Sequence, residues 1–167
     1  MKTPAVKYGF ITLIITIVWT MIEHVLGYNT TKHEIGQYAR MVGAVIFYIT
    51  VFMAVYATRK QQGGSLTFGE GFKAGAIVTV IYSLGVAVWY ALYGEVINTQ
   101  YKPTLLAFER AKLEAAHATP EAIAAKLKEV DMTSGGTVMS YLFLIFFMSL
   151  FGFVLTIIAS LIFKRKK

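Results

Sequence analysis

Glu23 and His24 stand side by side near the end of one long apolar run, Arg40 opens the next, and His33 and Glu34 lie between them. A carboxylate, a guanidinium and two imidazoles in that order could do three kinds of chemistry. Glu23 and Arg40 could pair as ions, the usual way in which a membrane bundle accommodates charge. Glu23 could instead serve as a proton or cation site, with hydroxyls leading inward from it. Histidine with carboxylate could also bind zinc. For zinc, however, no pair here has the i, i+4 helical spacing that makes such a site specific, so no metal and no cofactor is expected. The favoured expectation is the ion pair.

Hydroxyl groups extend the face that Glu23 occupies. At about 100° per residue, Gly9, Thr12, Thr16, Thr20, Glu23 and Gly27 fall within about 80° of one another on a helix. Ser149, Gly152, Thr156 and Ser160 likewise share one face of the last apolar run. Two small, weakly polar faces are expected to form a packing seam. Threonines in such places bond back to their own helix or across to a neighbour, and a hydrophilic channel would need more than hydroxyls and one carboxylate.

The stretch LTFGEGFKAGAIV, Leu66 to Val78, raises nucleotide chemistry. A phosphate-binding loop follows a strand and places serine or threonine after its lysine. Lys73 is followed by Ala74, Gly75 and Ala76, and the residues before the stretch form the end of an apolar run and a polar turn. The alternative reading is the start of a membrane span. Gly71 and Gly75, four residues apart, let another backbone approach closely. Lys73 snorkels to the headgroups beside Phe68 and Phe72.

The elements that must position these residues follow from composition. Of 167 residues 56% are apolar and only 15% are charged, and the mean hydropathy is +0.60. A soluble domain is about a quarter charged. Four runs are long enough for a hydrocarbon core that takes about 20 residues of helix: about 8–27, 38–58, 72–97 and 138–163. Glu23 and His24 mark the first as a retained span rather than a cleaved signal. Trp19, Trp89, Tyr90 and Tyr93 read as interfacial belt aromatics where they approach the outer boundary, with an aromatic ligand pocket as the lesser alternative. Glu95 closes the third span as an end-marker rather than a partner of Glu23. The expected fold is all-α: a single membrane domain over 1–167, built as a four-helix transmembrane bundle.

Between spans three and four, residues 98–137 should form an amphipathic helical segment. Pro103 opens its first helix. Thr119 as N-cap, Pro120 at the first position and Glu121 start its second, and TSGG ends it. Placing both termini on one side gives that side nine of the sixteen basic residues: Lys2, Lys7, Arg59, Lys60, Lys73, Lys164, Arg165, Lys166 and Lys167. It carries only Glu70 among the nine acids, so both termini are expected in the cytoplasm. The net charge of +7 is thus a topology signal rather than a nucleic-acid footprint. The absence of cysteine removes disulfides and thiolate chemistry.

The segments KYGF, WTMIEHVLGY, TTKHEIGQY, LTFGEGFKAGAI and the terminal IFKRKK resemble domain of unknown function 4199, a bacterial family of small four-span membrane proteins. The resemblance covers almost the whole chain and is most specific at FGEGFKAG. It implies the four-span fold and an inner-membrane location, and it brings no catalytic residues. No serine, histidine and acid order, no paired carboxylates at helical spacing and no metalloprotease motif points to an enzyme. The expected function is that of a non-enzymatic accessory or assembly subunit acting through helix packing and its external segment. The alternative is a small oligomeric transporter or ion pathway using Glu23. Expected partners are the lipid bilayer and either a protein partner or further copies of the chain, and not nucleic acid.

Overall fold

Four long helices follow from the four apolar runs in the computed structural model, which describes residues 3–165. Lys2, Lys166 and Lys167, counted above for topology, lie outside the described residues. The elements are α1 (Pro4–Val25), α2 (His33–Gln61), α3 (Phe68–Leu92), α4 (Tyr101–Ala115), α5 (Pro120–Thr133) and α6 (Val138–Phe163). A π-helical turn, Tyr93–Ile97, continues α3. The helix formed by α3 and this turn, together with α1, α2 and α6, makes four spans long and apolar enough to cross a membrane. The chain is an all-α membrane bundle.

The helices begin where local chemistry starts them rather than where apolarity does. Pro4 occupies the first turn of α1, where its missing N–H costs nothing. α2 starts at His33, five residues before the expected boundary, and its 29 residues extend about 43 Å. That exceeds a hydrocarbon core of about 30 Å, so the polar end of α2 projects beyond it. Arg40 therefore lies two turns inside the helix. Thr67 caps α3: its hydroxyl accepts from the Glu70 N–H at 3.3 Å, and the Glu70 carboxylate accepts from the Thr67 N–H at 2.8 Å. Gly69, Gly71 and Gly75 all fall inside α3, and its N-terminal amides are met by its own capping box rather than curled into an anion cradle.

On α1 the large apolar residues point outward and the small or hydroxyl residues point inward, the inverse of a soluble core. α1 buries Ala5, Gly9, Thr12, Thr16, Thr20 and Glu23 and exposes Ile14, Val18 and Val25. Without a hydrophobic drive between helices in lipid, close backbone approach and interhelical hydrogen bonds hold such a bundle. α2 and α3 each pack on both α1 and α6. The small face of α6 accordingly seats on α3 rather than on α1. A Cβ on Gly75 would stand 2.5 Å from Thr156 Oγ1 and one on Gly71 3.0 Å from Ser160 Oγ, and one on Gly152 would collide with the Thr79 methyl group. Ser149 donates to Ser83 at 3.1 Å on the same seam. The small face of α1 meets α3 from another side, with Gly9 against Ile81.

At mid-depth the bundle is closed. Phe47 stacks on Tyr82 with ring centroids 4.3 Å apart, and Val51, Val55 and Val78 are buried around them. At one end the α2–α3 loop bridges to the end of α6: Leu66 N–H donates to Arg165 O at 3.2 Å and Arg165 N–H to Leu66 O at 2.9 Å. α4 and α5 form a helical hairpin at the opposite end. Thr119 caps α5 by accepting from the Ala122 N–H at 3.3 Å, with Pro120 at the first position. His117 takes a left-handed conformation, φ 55°, to close the turn between the two helices.

Candidate functional site

The side chains with chemical potential gather at the hairpin end, because α1 ends there, α2 begins there and α3 widens there. Glu23 lies in the last turn of α1 and is only 2% exposed. Arg40, from the second turn of α2, points toward the same space. Asn29, in the turn between the two helices, stands between them. Its Nδ2 donates to Glu23 Oε2 at 3.4 Å, and its Oδ1 accepts from Arg40 Nη1 at 3.5 Å. Glu23 and Arg40 form no direct ion pair. The pairing expected from sequence is a relay through an amide.

The π-turn explains the rest of the wall. Asn98 N–H donates to Tyr93 O at 2.7 Å, a five-residue closure that widens the helix. Tyr93 is buried there instead of lying in an interfacial belt. Its hydroxyl accepts from Asn98 Nδ2 at 3.0 Å and hydrogen-bonds His24 Nδ1 at 3.1 Å. Asn98 Nδ2 also donates to Asn29 O at 3.0 Å, which ties α3 to the α1–α2 turn. His24 thus supports the site from behind Tyr93. Trp19 likewise serves structure, since its indole N–H donates to Ala39 O at 3.0 Å and joins α1 to α2.

These groups border a partly open cavity of about 270 Å³, lined by Glu23, Asn29, Arg40, Tyr90, Tyr93 and Tyr101 together with Ser134, Gly135, Ser140, Tyr141, Leu144 and Met148. The hairpin reaches it only at its root, through Tyr101 and Thr133. Lys102 Nζ donates to Gly135 O at 3.1 Å and pairs with Asp131 Oδ1 at 2.8 Å. His33 Nε2 and Thr104 Oγ1 lie 2.9 Å apart. Arg40 lies over the Tyr101 ring, 6.0 Å from its centroid. Tyr141 donates to Glu95 Oε1 at 3.1 Å, so the carboxylate that closes α3 anchors the start of α6.

Two polar atoms on the wall have no partner. Glu23 Oε1 and Ser134 Oγ are buried and make no hydrogen bond. His33 Nδ1, Thr79 Oγ1, Trp89 Nε1 and Thr156 Oγ1 are likewise unpartnered elsewhere among the described residues, but only Glu23 and Ser134 present such atoms on residues that line a cavity able to admit a partner. Burial pushes the Tyr101 phenol above its ordinary value; Arg40 pulls it back and Glu23 adds to the rise. Tyr101 is therefore a neutral, aromatic wall. Below Glu23, Thr20 and Thr12 donate to their own helix, at 2.8 Å to Thr16 O and 2.8 Å to Tyr8 O. Thr16 meets the Tyr82 hydroxyl at 3.4 Å.

No group of three or more histidine, cysteine or carboxylate side chains among the described residues is placed to hold a metal ion. Glu34, once weighed with His24 and His33 as a zinc set, is solvent-exposed at the start of α2. Asn29, Tyr101, Ser134 and Tyr141 were not legible as site residues. Asn29 carried one weak signal, an amide in the turn between a buried carboxylate and an arginine. No curated protein and no solved structure matches the chain. The family described as Protein of unknown function (DUF4199) matches residues 7–165, almost the whole length, and the chain belongs to that family.

Proposed function

We propose that the chain is a non-enzymatic accessory or assembly subunit of a bacterial inner membrane, with both termini cytoplasmic, whose working surface is the α4–α5 hairpin. The observation that carries this reading is how the hairpin is held. Its root meets the rest of the chain through Lys102 on the Gly135 carbonyl, Thr104 and Phe108 beside His33, and Tyr101 beneath Arg40, while along its length only Leu105 and Val130 are buried. A helix pair fixed at its base and free beyond it is suited to presenting a surface of mixed charge to a protein partner. The basic residues at the end opposite the hairpin support the orientation.

The test is the mass and composition of the complex extracted gently from native membranes. A stoichiometric protein partner, lost when Leu105 to Val130 is replaced by a short glycine and serine linker, is the expected result. A lone chain, or a partner retained after that replacement, overturns it. The second reading, an oligomeric ion pathway, is favoured by the open carboxylate oxygen of Glu23. It would have to run between chains, since Phe47 and Tyr82 close the middle of each bundle. It requires flux in liposomes that falls in Glu23→Gln.

A further inference from the structure

We propose that the cavity beneath the hairpin binds a small zwitterion, its protonated amine on Glu23 and its anionic group on Arg40. This site is separate from the hairpin surface assigned to a partner above, and either can exist without the other.

The chemistry of the wall selects the ligand. Glu23 is nine-tenths buried and more, and its Oε1 accepts no hydrogen bond. The neighbouring indole of Trp19 is committed to Ala39 O. A buried carboxylate oxygen without a donor is costly, and an ammonium brings both donors and compensating charge. Tyr90, Tyr93 and Tyr101 line the same cavity, and aromatic rings attract cations. A cation alone, however, would meet Arg40 across the same cavity. Arg40 donates to Asn29 at a long 3.5 Å and lies over the Tyr101 ring, and a guanidinium has five N–H donors, so it retains donors for an anion. Asn29 stands between the two opposite charges, so a ligand that carries both signs can meet both. Ser134 Oγ supplies a further open hydroxyl on the cavity wall.

Size sets the upper limit. About 270 Å³ lies just below the range of about 300–1,000 Å³ typical of drug-sized ligands, which suits a head group or an amino acid and excludes a nucleotide or peptide. Leu144 and Met148 give one wall of α6 an apolar side. The same amine-and-anion chemistry is found in a phosphoethanolamine lipid head group, whose tails would leave along that side, and in a soluble zwitterion.

The experiment uses the full chain in nanodiscs of phosphatidylglycerol with and without phosphatidylethanolamine. Native mass spectrometry reads retained lipid, and a thermal shift with O-phosphoethanolamine reads soluble binding. Retention of phosphatidylethanolamine over phosphatidylglycerol identifies the lipid source, and a thermal shift without lipid retention identifies the soluble one. In either case Glu23→Gln and Arg40→Gln should weaken binding by about tenfold or more. N-acetylation of the amine, tested on the unaltered protein, should do the same and does not depend on any variant folding. Binding unchanged by Glu23→Gln or by N-acetylation overturns the proposal. So does equal retention of phosphatidylglycerol, or no binding of either probe.

Discussion

Asn29 stands between Glu23 and Arg40, donating to one at 3.4 Å and accepting from the other at 3.5 Å. The amide donates to Glu23 Oε2, so its loss leaves that oxygen of a buried carboxyl group without its partner. Asn29→Ala should cost about 1–3 kcal/mol, the penalty of an unsatisfied buried group. The cost should shrink in a Glu23→Leu background, where nothing is left to satisfy. Unfolding in mixed detergent micelles, followed by helical circular dichroism, measures both; an equal cost in the two backgrounds would show that Asn29 acts only through its turn.

Tyr101 gives the site a pH dependence with a definite sign. Its folded value is raised above that of the unfolded chain, first by burial and also by Glu23. The neutral phenol therefore contributes stability that is complete below the ordinary tyrosine value of about 10 and is lost as pH rises through the folded value. Thermal stability should fall more steeply above about pH 10 for the unaltered chain than for Tyr101→Phe, which cannot ionise. Parallel curves would place Tyr101 in contact with water.

What could be read from sequence follows the range of the interactions involved. The last span begins and ends at Val138 and Phe163 as its apolar run indicated, and Thr119 with Pro120 starts α5 as local capping chemistry required. Glu23 and Arg40 converge because both lie at one end of antiparallel spans. Asn29 escaped because an asparagine between helices reads as a turn residue. Tyr93 escaped because a π-turn breaks the 3.6-residue period by which faces are assigned, and no residue in YGEVI announces it. Ser134 and Tyr141 reach the cavity only through the tertiary fold, more than a hundred residues from Glu23. The seam partner of α6 was likewise a matter of which helices are neighbours, which face periodicity does not encode.

Lys102 joins the two helices of the hairpin by a half-exposed ion pair with Asp131 and ties their root to the α5–α6 loop through Gly135 O. Surface pairs of this kind contribute about 0–1 kcal/mol, so Lys102→Ala should leave global stability almost unchanged. Local opening is the sensitive readout. Amide exchange in α4, α5 and the Ser134–Thr137 loop should already be faster than in the four spans, and the variant should accelerate it there alone. Uniform acceleration across the spans would mean that the hairpin holds the bundle together rather than resting on it.

Glycines separate close packing from mere helix membership. Gly69, Gly71 and Gly75 share one helix, yet a Cβ on Gly69 meets nothing within 4 Å while one on Gly75 meets three atoms of Thr156, all within 2.9 Å. Thr156 is β-branched and fully buried, so it cannot swing aside. Gly75→Ala should force α3 and α6 apart at a cost of about 1–3 kcal/mol. Gly69→Ala should be neutral or add up to about 1 kcal/mol, since alanine is the better helix former in open space. Gly152→Ala, pressed against Thr79 and Phe47, should resemble Gly75→Ala. Thr156→Ser in the Gly75→Ala background removes the colliding methyl group and should recover part of the loss. Equal effects at positions 69 and 75, measured as detergent unfolding midpoints, would mean that the seam between α3 and α6 tolerates separation, and the bundle would then owe its order to the lipid around it rather than to the fit of Thr156 over Gly75.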